Sequence, residues 1–155
     1  MPVVQYKVAD QSHIPGTARI RGLDPETEGY WHDRITGYLN GLLNPQKALA
    51  PRIMYVAMDA GTVVGFIAGH LTLRYDCSGE LEWISVLPQY QRRGIASGLL
   101  RLLTAWFVEQ KSLRVCVDVD PANGVARTFY KHHGAIDLNA HWLVWENIGS
   151  QTSVG

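Results

Sequence analysis

The chain has 155 residues, of which 46% are hydrophobic and 18% charged, and its formal net charge is zero. One ordinary domain with a buried core fits that length and composition, whereas a disordered chain or a general polyanion binder does not. No basic leader precedes an apolar run and no apolar stretch reaches 18 residues, so a cytoplasmic protein without a membrane span is expected.

Residues 3–8 (VVQYKV) read as a first strand. Residues 9–50 carry helical patches near 12–21 and 26–43, punctuated by Gly16, Pro25, Gly29, Gly37, Pro45 and Pro51. A compact apolar run at 53–58, a turn at Asp59-Ala60-Gly61 and a second run at 62–73 predict a hairpin. Residues 80–87 form a further strand, stopped by Pro88. The clearest helix spans 94–110, where Leu99, Leu102, Leu103, Trp106 and Phe107 recur at helical spacing. A strand at 113–119, a Pro-Ala-Asn-Gly turn and a helix at 124–133 follow, with Gly134 placed as its C-cap. A last strand covers 141–146. This order makes an α/β fold, a mixed sandwich of helices around one sheet.

Several features carry no chemistry of their own. Cys77 and Cys116 lack C-x-x-C spacing and read as free thiols in a reducing compartment. The six histidines show no metal-ligand spacing, so no metal is expected, and His132-His133 read as capping and surface. Trp142 and Trp145 read as strand core. Glu26, Glu28, Tyr30 and Trp31 fit either the border of an amine pocket or a plain amphipathic helix.

The informative stretch is Val86-Leu-Pro-Gln-Tyr-Gln-Arg-Arg-Gly-Ile-Ala-Ser97. A strand ends, a short polar loop follows, and Gly94 opens the long helix. Such a junction turns unpaired backbone N–H groups outward, with the positive end of the helix dipole behind them. A diphosphate is the natural guest. Gly94 and Ala96 keep bulk away, and Arg92 and Arg93 add charge. Residues 89–135 as a whole hold seven basic groups against three acidic ones, which suits one small anionic ligand better than a nucleic-acid track. A P-loop lysine and a G-x-G-x-x-G pattern are both lacking.

Gln91-Arg92-Arg93-Gly94-Ile95-Ala96 resembles the Q/R-x-x-G-x-G/A signature of the GNAT superfamily of acyl-CoA-dependent N-acetyltransferases. Downstream, Asn123-Gly-Val-Ala126-Arg-Thr-Phe129-Tyr130-Lys-His-His-Gly134 resembles that family's N-x-x-A-x-x-F/L-Y-x-x-x-G pattern. The two occur in the family's order, one helix and one strand apart. Ala96 replaces the commoner second glycine, and Ala135 the usual phenylalanine.

The resemblance implies a mostly antiparallel sheet of six to seven strands with helices on both faces, splayed between the fourth and fifth strands. It implies a single domain over 1–155, with a cofactor-binding core at about 53–135 and an acceptor-shaping region at about 9–50. Acetyl-CoA would be the co-substrate. Backbone groups of Ile84, Ser85 and Val86 would pair with the pantetheine, and the Val86 N–H would polarise the thioester oxygen. Amides from Arg92 to Ser97 would hold the pyrophosphate beside Gln91, with Asn123 and Arg127 further along. Tyr130 would protonate the departing thiolate. The general base would be Glu82, with Glu80 and Asp118 as alternatives. The acceptor would be a small-molecule, peptide or protein amine, attacked in a ternary complex; proteins of this kind are often homodimers. The rival reading is a non-catalytic acyl-CoA-binding module of the same fold.

Overall fold

The computed structural model describes residues 4–22 and 25–150. Among them a seven-stranded sheet runs in the order β1-β2-β3-β4-β5-β7-β6. The strands are β1 (Gln5–Val8), β2 (Ala48–Asp59), β3 (Thr62–Thr72), β4 (Gly79–Val86), β5 (Val115–Asp118), β6 (Ile136–Asp137) and β7 (Trp142–Trp145). The helices are α1 (Ile14–Gly22), α2 (Pro25–Leu39), α3 (Ile95–Glu109) and α4 (Gly124–His132). Every strand pair is antiparallel except β4 with β5. This is the fold class expected, with the crossover through α3 supplying the one parallel pair.

Alternation along the hairpin explains the two layers. Val64 and Ile67 of β3 join Ala57 of β2 in one buried cluster with Leu99, Leu103 and Phe107 of α3. Val63, Phe66 and Ala68 join Met54 and Val56 in the opposite cluster with Ile20, Ile35 and Tyr38 of α1 and α2. Successive strand side chains point to opposite faces, and the extra residue Val64 (Ala57 pairs with Gly65, Met58 with Val63) shifts the alternation, so that Val63 faces with Phe66 and Ala68 and one apolar run feeds two cores. On α3, Ile95, Leu99, Leu103 and Phe107 are all buried at four-residue spacing, one stripe toward the sheet.

Boundaries differ from the sequence reading where pairing overrides local pattern. β2 begins at Ala48 because β3 is long enough to pair it, with a register slip between Leu49 and Arg52 that accommodates Pro51. α2 ends at Leu39, and Gly41, at φ +74°, turns the chain. β6, too short for any periodic signal, is held by β7. Gly134, at φ +100°, does follow α4 as its C-cap glycine. Val3, the start of the expected first strand, lies outside the described residues.

A bulge in β4 matters most. Ala68 pairs with Trp83, yet the next residue, Gly69, pairs with Leu81, so Glu82 is the extra residue. Gly69 permits this close approach: a Cβ there would stand 2.9 Å from Leu103 Cδ1 and 3.0 Å from the Glu80 carbonyl oxygen. β5 pairs with β4 only over Gly79–Leu81. Beyond that the two strands part.

Gly69→Ala is expected to lower unfolding stability by about 1–3 kcal/mol in urea denaturation, because the backbone carbonyl cannot move aside. A change under about 0.5 kcal/mol would show that β3 accommodates the methyl group and that the bulge does not require glycine.

Candidate functional site

The gap between β4 and β5 continues into a cleft of about 660 Å³. Its floor is the free edge of β4. The Leu87 N–H donates to the Val64 carbonyl and the Ser85 carbonyl lies toward Gly65, so the Ser85 backbone faces β3. Pairing alternates along an antiparallel ladder, which leaves the N–H groups of Ile84 and Val86 facing the gap. The Val86 carbonyl accepts from Gln91 Nε2 at 3.0 Å.

At one end stands the N-terminus of α3. Gly94 is its N-cap at φ +82°, a left-handed conformation that glycine adopts freely, and no side chain caps it. Arg92, at φ +63°, bends the preceding loop. Together they turn the first amides of α3 toward the cleft, lined here by Arg92, Gly94, Ile95, Ala96 and Ser97. A Cβ on Gly94 would meet nothing within 4 Å, so the space in front of the turn is open.

The other named residues are distributed unevenly. Asn123 lines the cleft and also caps α4 by accepting from the Ala126 N–H at 3.1 Å. Arg127 does not line it; its guanidinium pairs with Asp137 at 2.5 Å. Arg93 stacks on Tyr90 at 5.1 Å. His133 is the C-cap of α4, as expected, but it is buried rather than on the surface, and its Nε2 lies 3.1 Å from Ser97 Oγ; His132 is exposed. Tyr130 is 5% exposed, packs edge-on against Trp145, and lines the cleft. Burial holds its phenol well above the ordinary value, while the charge of Arg21 pulls it back.

The three carboxylates separate clearly. Despite the bulge, Glu80 and Glu82 meet: Glu82 shares a side-chain hydrogen bond with Glu80. Burial first, then the Glu80 charge and that hydrogen bond, push the Glu82 carboxyl up to about 7, against the pull of Arg34 and Arg74. Glu82 lines a second, smaller cavity of about 120 Å³ with Arg34, Tyr38, Leu43 and Trp83. Glu80 is 3% exposed and lines neither cavity; its Oε1 lies 3.6 Å from His70 Nε2 and 3.4 Å from Arg74 Nε. His70 Nδ1 is 2.8 Å from the Tyr38 hydroxyl. Asp118 is exposed and also lines neither cavity.

His70, Glu80 and Glu82 bring ligand atoms within 4.8 Å of one another, a donor set a divalent cation accepts. The Arg74 guanidinium beside Glu80 already supplies positive charge there.

Sequence reasoning missed Arg21. It belongs to α1, in the region that matched no motif, yet it lines the cleft and donates from Nη1 to Ser85 Oγ at 3.1 Å. Its guanidinium lies 4.9 Å from the Trp31 ring, and Trp31 itself lines neither cavity. One of two arginines, Arg19 and Arg21, in a short helix carries no signal until the fold turns it inward.

The family model described as Acetyltransferase (GNAT) family matches residues 19–135. The chain belongs to the GNAT acetyltransferase family. Solved structures agree in fold. An Ard1 from Thermoplasma volcanium is 22% identical, with 91% of this chain and 94% of that chain covered at TM-score 0.71. The PaiA N-acetyltransferase from Thermoplasma acidophilum, solved with coenzyme A, is 14% identical, covering 94% and 99% at 0.69. The ribosomal-protein-S18-alanine N-acetyltransferase from Escherichia coli is 15% identical, covering 97% of each at 0.67. None of the curated proteins matches in sequence. Among the described residues no helix is long and apolar enough to cross a membrane.

Glu82 carries a linkage consequence. Its folded value of about 7 exceeds the ordinary 4.5, so the native state holds a proton that the unfolded chain releases, and stability falls as pH rises between the two. Glu82→Gln removes that loss. The melting-temperature difference, variant minus wild type, is expected to grow from about pH 4.5 to about pH 7 and then level off. A difference that stays flat with pH would contradict the assignment.

Proposed function

We propose that this GNAT protein transfers the acetyl group of acetyl-CoA to a primary amine by direct attack in a ternary complex. The observation that carries this reading is the cleft itself, which joins an uncapped helix N-terminus to a free strand edge. The amides from Arg92 to Ser97 fit a pyrophosphate. The N–H groups of Ile84 and Val86 fit the pantetheine amides, with Val86 as donor to the thioester oxygen as negative charge develops there. In that arrangement the Gln91 side chain yields the Val86 carbonyl to the ligand. Two buried free thiols suit the reducing cytosol.

The amine arrives as an ammonium and must lose a proton before attack. Glu82, with its carboxyl near neutrality, accepts that proton, directly or through a water in the smaller cavity. The amine nitrogen bonds to the acetyl carbon, the C–S bond breaks, Tyr130 passes its phenolic proton to the departing sulfur, and the second proton shed by the nitrogen as the amide forms returns to the phenolate. Burial keeps Tyr130 protonated at neutral pH, and the Arg21 charge stabilises the phenolate left behind. His70 and Glu80 support Glu82 from behind, with ligand atoms of the three within 4.8 Å of one another.

With an amine panel and thiol release as readout, kcat/KM is expected to rise with pH as a single ionisation near 7, and Glu82→Gln is expected to abolish that rise. Tyr130→Phe should lower kcat by about 100-fold while leaving acetyl-CoA affinity within about twofold. Binding of acetyl-CoA without turnover on any amine would favour the non-catalytic module, and absence of binding would exclude both readings.

A further inference from the structure

The proposed pyrophosphate seat has one side-chain hydroxyl. In the first turn of α3, Gly94 and Ala96 offer none and the Ile95 side chain is buried in the core, whereas Ser97 lines the cleft. That hydroxyl is engaged from behind. Ser97 Oγ lies 3.1 Å from Nε2 of His133, the C-cap of α4. His133 is held in place on several sides. It is 4% exposed, its ring packs edge-on against Phe129 at 4.8 Å, and its carbonyl accepts from Trp145 Nε1 at 3.0 Å. A histidine at an exposed helix end would turn freely; this one has its Nε2 edge set against the Ser97 hydroxyl.

One hydroxyl carries one proton, so its direction matters. An unprotonated Nε2 accepts that proton, and the Ser97 oxygen then presents only lone pairs outward, which repel phosphate oxygens. A protonated His133 donates from Nε2 to Oγ, and the hydroxyl proton is released to point at an anion. Without ligand the neutral ring is favoured. Burial first, then His132 of the same helix and Arg101 of α3, hold His133 below the ordinary histidine range. From β7 it meets Trp145, which carries no charge. A diphosphate before the α3 amides reverses that balance, because it places negative charge one hydroxyl away from the ring.

We infer that His133 takes up a proton when the cofactor binds and, through Ser97, aims a charge-assisted hydrogen bond at the pyrophosphate. Ser97 makes the contact, and His133 is a positioning residue behind it. The proton comes from solvent, and no bond of the cofactor breaks. The inference rests on the acetyl-CoA reading of the cleft, because it needs a pyrophosphate at the turn into α3. Affinity for the cofactor then falls as pH rises from the ligand-free to the ligand-bound value of His133, and is flat on either side of that window. At saturating acetyl-CoA this dependence does not enter the amine profile. An uncharged ring in its other tautomer would also donate from Nε2, but it draws no proton from solvent.

The test uses dephospho-coenzyme A, whose phosphates do not titrate near neutrality. It is titrated calorimetrically into the full chain, across the histidine range, in two buffers of different ionisation heat. Wild type is expected to take up about half a proton or more per ligand at the maximum, and to bind about tenfold more weakly at the alkaline end than at the acid end. Ring nitrogen shifts read by NMR should place that proton on His133. His133→Gln should abolish uptake and flatten the pH profile, Ser97→Ala should cut uptake by more than half, and His132→Gln should keep it. The wild-type measurements decide the matter even where a variant does not fold. Binding without proton uptake, uptake that survives Ser97→Ala in full, or uptake that disappears with His132→Gln overturns the inference and leaves the acetyl-CoA reading in place. No binding of dephospho-coenzyme A overturns both.

Discussion

The partners of β4 change halfway along its length. Over Gly79–Leu81 its far edge is hydrogen-bonded to β5, and beyond Leu81 no strand among the described residues lies beside that edge. Backbone N–H groups left without a partner in a half-buried cleft cost free energy until something accepts from them. The bulge at Glu82 begins the separation, and Gly69 on β3 makes room for it. Because the following loop leads into α3 at Gly94, the same divergence places a helix N-terminus and a free strand edge on one cleft. Apolar packing of α3 on the sheet, through Leu99, Leu103 and Phe107, holds both in position.

The bulge also decides which carboxylate faces solvent. Glu80 is enclosed with His70 and Arg74, whereas Glu82 reaches a cavity on the α2 side. Burial first, then the charge and hydrogen bond of Glu80, move the Glu82 carboxyl up to about 7. Positive charge from Arg34 and Arg74 pulls the Glu82 carboxyl back down. The smaller cavity is therefore a mixed field, with the Glu82 carboxyl and the Arg34 guanidinium both in its wall.

Much of this was legible in the residues. The apolar stripe of α3, the hairpin around Gly61 and the glycine after α4 are local signals, and each element formed where its pattern indicated. Gln91–Ala96 and Asn123–Gly134 pointed to the cleft that residues of both line, because short motifs encode loop geometry directly. The acceptor side was not legible. Arg21, Trp31, Arg34 and Tyr38 come from two helices whose pattern is that of any amphipathic pair, and only packing against Trp83 and the β4 edge converts them into a site. Arg127 shows the converse limit. Its motif position suggested a ligand contact, but Asp137 of the unforeseen strand β6 engages it.

Hydrogen exchange at single amides reaches the central claim most directly, since it reads the free edge of β4 and the turn at Gly94 without any knowledge of the acceptor. In the unliganded protein the Ile84 and Val86 amides should exchange far faster than Ser85, whose backbone faces β3. Saturating coenzyme A should slow Ile84, Val86 and the amides of Gly94–Ser97 by about tenfold or more, leaving Ser85 unchanged. Equal protection of Ile84, Ser85 and Val86 before ligand, or no slowing after it, would contradict the account.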